Sequence, residues 1–444
     1  MVLIRGEVKQ SKHTGKILAD ADPENADWTK FRWGDLPPYK SPEFMTQLRA
    51  LGISLEQFRT MPVYKMAVRR GLIKDDEWAR NASVRRSMRE CAQRAPGGCD
   101  VAAPRLPYGT GDLRERRIVS ETAVTCHVSG CATTVARQRR FFRASEEFLC
   151  REHGIYLSPT TFQYADPTRN LLWRYADDCR LLASIAKTKR TTARLGRECD
   201  EDALTWNVVR AFHREGRLGR LLEIVLAGRC KPPAGEEPEI IYWGAQGGRL
   251  WPCLATAREE FGEPVRAGTE PDLALWWPGK LLVFVEVKFR AGNKTQPSEM
   301  QDGPDHRPCA YCKNGHFERV FGADYNQVAV ESAKYELMRN WLLGSWIAMQ
   351  SGAAFALVNL VRSGAECDIE TKFGHDLCRE QPDRVFVRST WESIWAALPS
   401  ARLSDETART LDAYFQTKSV GYDHKGGLQK AFTRERVRTC RASP

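Results

Sequence analysis

The segment Leu281-Leu282-Val283-Phe284-Val285-Glu286-Val287-Lys288-Phe289 constrains this chain more than any other stretch. It is almost wholly apolar and rich in β-branched and aromatic residues, the composition of a strand buried on both faces. Side chains alternate along a strand. Val283, Val285 and Val287 therefore share one face, and Phe284, Glu286 and Lys288 share the other. A carboxylate and an ammonium on one face of a buried strand need a reason, because unpaired buried charge is strongly unfavourable. One reason is a Glu–Lys ion pair. The other is a metal-binding carboxylate beside an ammonium that orients water.

The run just upstream, Leu273-Ala274-Leu275-Trp276-Trp277, reads as a partner strand, with Pro278-Gly279-Lys280 as the turn between them. Glu270-Pro271-Asp272 precedes it, so the hairpin sets Asp272 beside Glu286. Hard divalent cations such as Mg²⁺ or Mn²⁺ take carboxylate oxygens of this kind. A cation there would polarise a phosphodiester and acidify water. Lys288 would orient that water and offset charge building on phosphorus. Asp272, Glu286 and Lys288 together read PD-x13-ExK. This pattern resembles the PD-(D/E)xK, or restriction-endonuclease-like, nuclease superfamily. The resemblance implies an α/β (α+β) nuclease core that cuts nucleic acid, most readily double-stranded DNA, with Mg²⁺ or Mn²⁺.

The same resemblance implies two further parts. One is an acidic residue on a helix before the first motif strand. Glu201-Asp202, opening the amphipathic run to Arg210, and Glu259-Glu260 in Ala257–Phe261 both offer one. Glu201 is favoured, because such a core needs a long helix before its first strands. The other part is a glutamine on the helix after ExK. That helix is expected from Asp324 to Trp346, with Gln327 in its first turn. No GxxxxGK[ST] phosphate loop occurs, so ATP-driven work or sensing would need a partner subunit.

Cysteine is the second informative feature. The chain has 14, and its start, Met1-Val2-Leu3-Ile4-Arg5-Gly6-Glu7, turns polar too early for a secretory leader. No apolar run is long enough to span a bilayer. These readings predict a cytoplasmic chain in which clustered cysteines hold metal rather than bridge. Cys126, Cys131, Cys150 and His153 form C-x4-C-x18-C-x2-H, two close pairs that can close a tetrahedral Zn²⁺ site with no position left for catalysis. The run resembles the zinc-ribbon or treble-clef modules. A second set, His306, Cys309, Cys312 and His316, reads H-x2-C-x2-C-x3-H within one loop and is a candidate second zinc site.

With 67 basic and 56 acidic residues the net charge is +11, which favours a polyanionic partner. The charge comes in clusters: Arg69-Arg70, Arg85-Arg86, Arg114–Arg117, Lys187–Arg190 and the tail from Arg434 to Arg441. Such clusters suit salt-dependent contacts to a phosphate backbone. Ser41-Pro42 and Ser54 mark capped helices, so residues 1–120 read as a mostly helical, basic region. The zinc module follows at 121–165, a linker helix (Leu171 to Lys187) at 166–197, and the nuclease-like domain at 198–400. Strands at Phe355–Val361 and Arg384–Arg388 complete its sheet, and 401–444 hold a last helix and a basic tail. Two functions remain open. One is a metal-dependent DNA endonuclease, whose family company implies a bacterial restriction, anti-phage or mobile-element setting. The other is a non-catalytic protein that binds nucleic acid or a partner on a nuclease-like scaffold.

Overall fold

A computed structural model describes residues 106–433, apart from 140–141, 190–194, 265–267 and 298–306, together with 44–46, 54–55, 58 and 64. Contacts divide the chain into two compact units, Met1–Arg80 and Asn81–Pro444. In the first, Phe44 packs edge-on against Phe58 at 5.1 Å, and Phe58 against Tyr64 at 5.7 Å. Residues 44–46, 55 and 58 are helical, and the rest of the two helices expected there lies outside the described residues.

The second unit begins with small antiparallel pieces. Strands β1 (Ala123–Thr125) and β2 (Thr134–Ala136) form a hairpin. Strands β3 (Leu149–Cys150), β4 (Ile155–Leu157) and β5 (Phe162–Tyr164) form a three-stranded sheet. Helix α1 spans Ala176–Ile185 and starts later than the expected Leu171. The Asn207 side chain holds the segment before it, accepting from the Leu172 amide at 2.8 Å and donating to the Asn170 carbonyl at 2.9 Å.

Helix α2 (Glu201–Arg214) follows, capped by Asp200, whose carboxylate accepts from the Asp202 amide. Next come α3 (Leu218–Leu226), β6 (Glu239–Tyr242), β7 (Ala245–Gln246), β8 (Arg249–Leu250) and α4 (Pro252–Glu260). The apolar hairpin is β9 (Leu273–Trp277) and β10 (Leu281–Val287), with every residue of both strands buried. Helices α5 (Arg307–Cys312), α6 (His316–Val320) and α7 (Tyr335–Gln350) lead to β11 (Ala354–Val361) and β12 (Arg384–Thr390). Helices α8 (Trp391–Ala397) and α9 (Asp405–Thr417) and the hairpin β13 (Ser419–Tyr422)–β14 (Leu428–Lys430) end the described chain.

The fold is mixed α/β around a seven-stranded sheet of order β12-β11-β10-β9-β6-β7-β8. β10, β11 and β12 run parallel, while β9 and β6 are antiparallel to their neighbours. The period of two divides the core as the pattern predicts. Val283, Val285 and Val287 pack with α2, α3 and α8 on one face. Leu282 and Phe284 pack with α4 and α7 on the other. Gly344 of α7 sits where a Cβ would lie 2.2 Å from the Phe355 ring, so only glycine lets the helix approach the sheet this closely.

The single helix expected from Asp324 to Trp346 is instead two pieces. Asn326–Glu331 is a π-helical turn, Ala333 takes a positive φ of 50°, and α7 begins at Tyr335. The loop after β10 causes the break. Thr295 donates its amide to the Ala333 carbonyl at 2.8 Å and accepts from the Tyr335 amide at 3.1 Å, so this segment bonds sideways rather than along a helix axis. Among the described residues no helix is long and apolar enough to cross a membrane.

Candidate functional site

The hairpin register pairs Val285 with Leu273, which leaves Asp272 just past the last pair and beside the end of β10. The Val287 amide donates to Asp272 Oδ2 at 2.8 Å. Helix α2 brings its first residue to the same place, where the Phe289 amide donates to Glu201 Oε2 at 2.9 Å. Two backbone amides of one strand end thus hold one oxygen each of two carboxylates. The second oxygen of each makes no hydrogen bond among the described residues.

Glu286 and Lys288 share a face, as the alternation requires. Lys288 Nζ donates to Glu286 Oε1 at 2.5 Å and to Glu336 Oε2 at 2.9 Å. Asn340 Nδ2 donates to Glu286 Oε2 at 2.7 Å. Glu336 and Asn340 lie one turn apart on α7 and were not expected here. The signal was available: they are polar residues at i and i+4 on a mostly apolar helix.

Burial and crowding set the electrostatics. Burial, with the Asp202 charge adding to it, pushes the Asp272 carboxyl up to about 7 against the pull of Lys288 and Lys189. Burial, then Asp272, pushes Glu201 up to about 8 despite Lys288. Burial and the Glu336 charge raise Glu286 well above the usual carboxylate range. For Lys288 burial works against the ammonium, but Glu286, Glu336, Asp272 and Glu201 outweigh it and hold the group protonated. The cluster is short of positive charge: Lys288, with Lys189 behind it, faces Glu201, Asp272, Glu286 and Glu336.

A second cation stands behind this group. Lys189, 5 % exposed along its side chain, pairs with Asp202 at 2.9 Å and Glu270 at 4.0 Å. Its ammonium lies 4.2 Å over the Trp243 ring. Lys189 of the Lys187–Arg190 cluster therefore faces inward, away from the phosphate contacts that such a cluster suits. Arg114 and Arg116 are likewise engaged with backbone: Arg114 donates to the Cys126 carbonyl at 2.8 Å and also to that of Cys131, and Arg116 to those of Pro159 and His424.

The other expected site residues lie elsewhere. Gln327 is exposed in the π-helical turn, and the first turn of the helix it was to occupy carries Glu336 instead. The cause is the break at Ala333. Glu259 and Glu260 are exposed at the end of α4, where Glu260 accepts from Asn314 at 2.7 Å. The upstream acid at the cluster is Glu201.

Cys126, Cys131, Cys150 and His153 converge, with all four ligand atoms within 4.8 Å of one another. Cys131 Sγ lies 3.9 Å from Cys150 Sγ, and His153 Nδ1 lies 3.8 Å from Cys126 Sγ and 3.6 Å from Cys150 Sγ. A tetrahedron with bonds of about 2.3 Å has edges of about 3.8 Å. The group can hold a metal ion, and its donors and spacing are compatible with zinc. Arg169 steadies it by donating to the His153 carbonyl at 2.6 Å. Of the second Cys/His set, His306 and the Cys309 side chain lie outside the described residues. Cys312 is half-buried, and His316 is buried on α6.

No protein-family model, curated protein or solved structure matches this chain.

Proposed function

We propose that this chain is a PD-(D/E)xK-type nuclease that hydrolyses DNA phosphodiesters with Mg²⁺ or Mn²⁺. The observation that carries the reading is the meeting of Glu201, Asp272, Glu286 and Lys288, from three separate stretches of chain, at one end of β10. The donor set fits a hard cation: carboxylates in excess of ammonium, two of them with an oxygen that has no hydrogen bond among the described residues. Asp272, Glu201 and Glu286 would hold the ion, which supplies Lewis-acid polarisation of the phosphate and a more acidic water. Lys288, already bonded to Glu286, directs its ammonium at the same space and offsets charge on the phosphorus in the transition state. Asn340 fixes the Glu286 rotamer from behind. The backbone amides of Val287 and Phe289 hold Asp272 and Glu201 in register with the strand.

The Cys126–Cys131–Cys150–His153 group is read as a structural Zn²⁺ site in a ribbon-like module. Its exposed basic residues, Arg117 and Arg139 among them, suit contacts to a phosphate backbone. A restriction, anti-phage or mobile-element setting in the cytoplasm, with partner subunits for sensing, completes the proposal.

A second reading is favoured by the 2.5 Å Lys288–Glu286 pair itself, which is also what a purely structural ion pair looks like. In that reading the chain binds nucleic acid or a partner without cutting. Incubation with supercoiled plasmid separates the two. Nicking that needs Mg²⁺ or Mn²⁺, stops with EDTA and is lost in Asp272→Ala supports the nuclease. Cleavage that survives EDTA or is unchanged in Asp272→Ala rules out this mechanism.

A further inference from the structure

A cavity of about 620 Å³ opens at the end of the sheet where β11 and β12 begin. The strand register separates it from the acidic cluster: Ala354 pairs with Leu281, and Asn359 with Glu286. Five residues of strand at 3.3 Å each put the two places about 16 Å apart. The cavity belongs to neither the acidic cluster nor the cysteine group.

Its lining has three features. The first is a cationic wall. Arg319 on α6 and Arg379 before β12 are exposed side chains, and Arg384 is the first residue of β12. Arg384 builds the wall as well as charging it. Its Nη2 donates to the Arg379 carbonyl at 3.0 Å and the Arg319 carbonyl at 3.3 Å, and its guanidinium lies 5.9 Å over the Trp341 ring. The other two arginines are thereby tethered at their backbones. Asp383 is the one acidic residue lining the cavity among those described.

The second feature is a buried polar floor. His316 and Ser345 are each 3 % exposed and line the same space. Ser345 Oγ has no hydrogen-bond partner. The His316 ring has the Leu342 carbonyl beside it as a hydrogen-bond acceptor. Buried polar groups are nearly always paired. An unpaired Ser345 hydroxyl beside a cavity lined by three arginines suits a ligand that brings oxygen atoms. Burial, with Arg384 and Arg319 nearby, lowers His316 to about 4, so the ring is neutral and adds no charge to the wall. The third feature is an apolar side formed by Met349, 46 % exposed, and Phe355.

We propose that this cavity binds a terminal phosphate, with a nucleoside beside it on the Met349 side. Guanidiniums match the tetrahedral, multi-oxygen charge of phosphate in a way that a single carboxylate does not exploit. The volume exceeds a phosphate ion and falls in the range of small-molecule sites. The phosphate belongs either to a free mononucleotide or to the 5′ end of a nucleic-acid strand.

Calorimetric titration of the full chain, without added Mg²⁺ or Mn²⁺, tests this with four probes: inorganic phosphate, AMP, and a short oligonucleotide with either a 5′-phosphate or a 5′-hydroxyl. AMP is expected to bind more tightly than inorganic phosphate. Arg319→Gln and Arg379→Gln, both at exposed positions, are each expected to weaken binding roughly tenfold. Ser345→Ala should weaken it less, and Asp272→Ala not at all. Binding of the 5′-phosphorylated oligonucleotide but not its 5′-hydroxyl form would assign the site to strand ends; AMP alone would assign it to free nucleotides. The proposal is overturned if no phosphorylated probe binds at millimolar concentration. It is also overturned if binding persists in both arginine variants or disappears in Asp272→Ala. It stands or falls independently of whether the acidic cluster cuts DNA.

Discussion

Replacing Lys288 with alanine tests the electrostatic account of the acidic cluster directly. The Lys288 side chain is 11 % exposed, and that of its partner Glu286 is 3 % exposed. Removing one member of a buried pair costs about 3–5 kcal/mol, since the other is left charged and desolvated. The carboxylates can limit that cost by taking up protons, which gives the effect a pH signature. A carboxyl whose folded-state pKa lies above its unfolded value stabilises the fold at low pH. That contribution is lost as pH rises past the unfolded value towards the folded one. Asp272 is raised to about 7 and Glu201 to about 8, both by burial first, while Lys288 is present. Without it each moves further up. Each such group then costs about 1.4 kcal/mol per pH unit in this window. Urea unfolding midpoints of wild type and Lys288→Ala at pH 6, 7 and 8, without divalent metal, should show a gap that widens with pH. Mn²⁺ should narrow it at pH 8, because the ion replaces the missing cation and binding at 100 times Kd stabilises by about 2.7 kcal/mol. A gap that shrinks as pH rises, or stays under about 1 kcal/mol at pH 8, would refute the argument that Lys288 neutralises buried carboxylates.

Three more outcomes follow from the same geometry. Mn²⁺ affinity measured by calorimetry should rise between pH 6 and 8 and be accompanied by proton release, because Asp272 at about 7 and Glu201 at about 8 must lose protons to bind a cation. Asn340→Leu removes the 2.7 Å bond to Glu286 Oε2, and hydrogen bonds to charged groups contribute about 1.5–3 kcal/mol, so a thermal midpoint drop and slower plasmid nicking are expected. Metal analysis should find about one zinc per chain, lost in Cys131→Ser; well-folded protein without zinc would exclude the tetrahedral site.

Much of the geometry of the acidic cluster was legible because it rests on local rules. The alternation that places Glu286 with Phe284 and apart from Val285 is a property of any extended backbone, and the two cores divide accordingly. The turn Pro278–Lys280 set the hairpin register that leaves Asp272 beside β10. Glu201 could be favoured over Glu259 and Glu260 only by its helix's length. In the structure Glu201 reaches the cluster for another reason, the Phe289 amide that draws it in. Gln327 was misplaced because a helix from Asp324 looks continuous in sequence. Its interruption depends on Thr295, more than thirty residues away, bonding to Ala333 and Tyr335. Charge clusters were the least legible. Whether an arginine faces solvent or a carbonyl depends on what folds against it, as Arg114 and Arg116 show.

The sequence by itself determined what depends on neighbours along the chain: a two-sided buried strand, an amphipathic helix opening at Glu201, and paired cysteines spaced to meet. Those features follow from backbone period and ligand spacing, which act over a few residues. The tertiary structure alone decided which charges share a space. It brought Glu336 and Asn340 of α7 onto Glu286, turned Lys189 inward to Asp202 and Glu270, and gathered Arg319, Arg379, Arg384, His316 and Ser345 around one cavity. Each arrangement joins segments tens of residues apart. Electrostatic energy depends on distance and burial, and both are set by packing rather than by position in the chain.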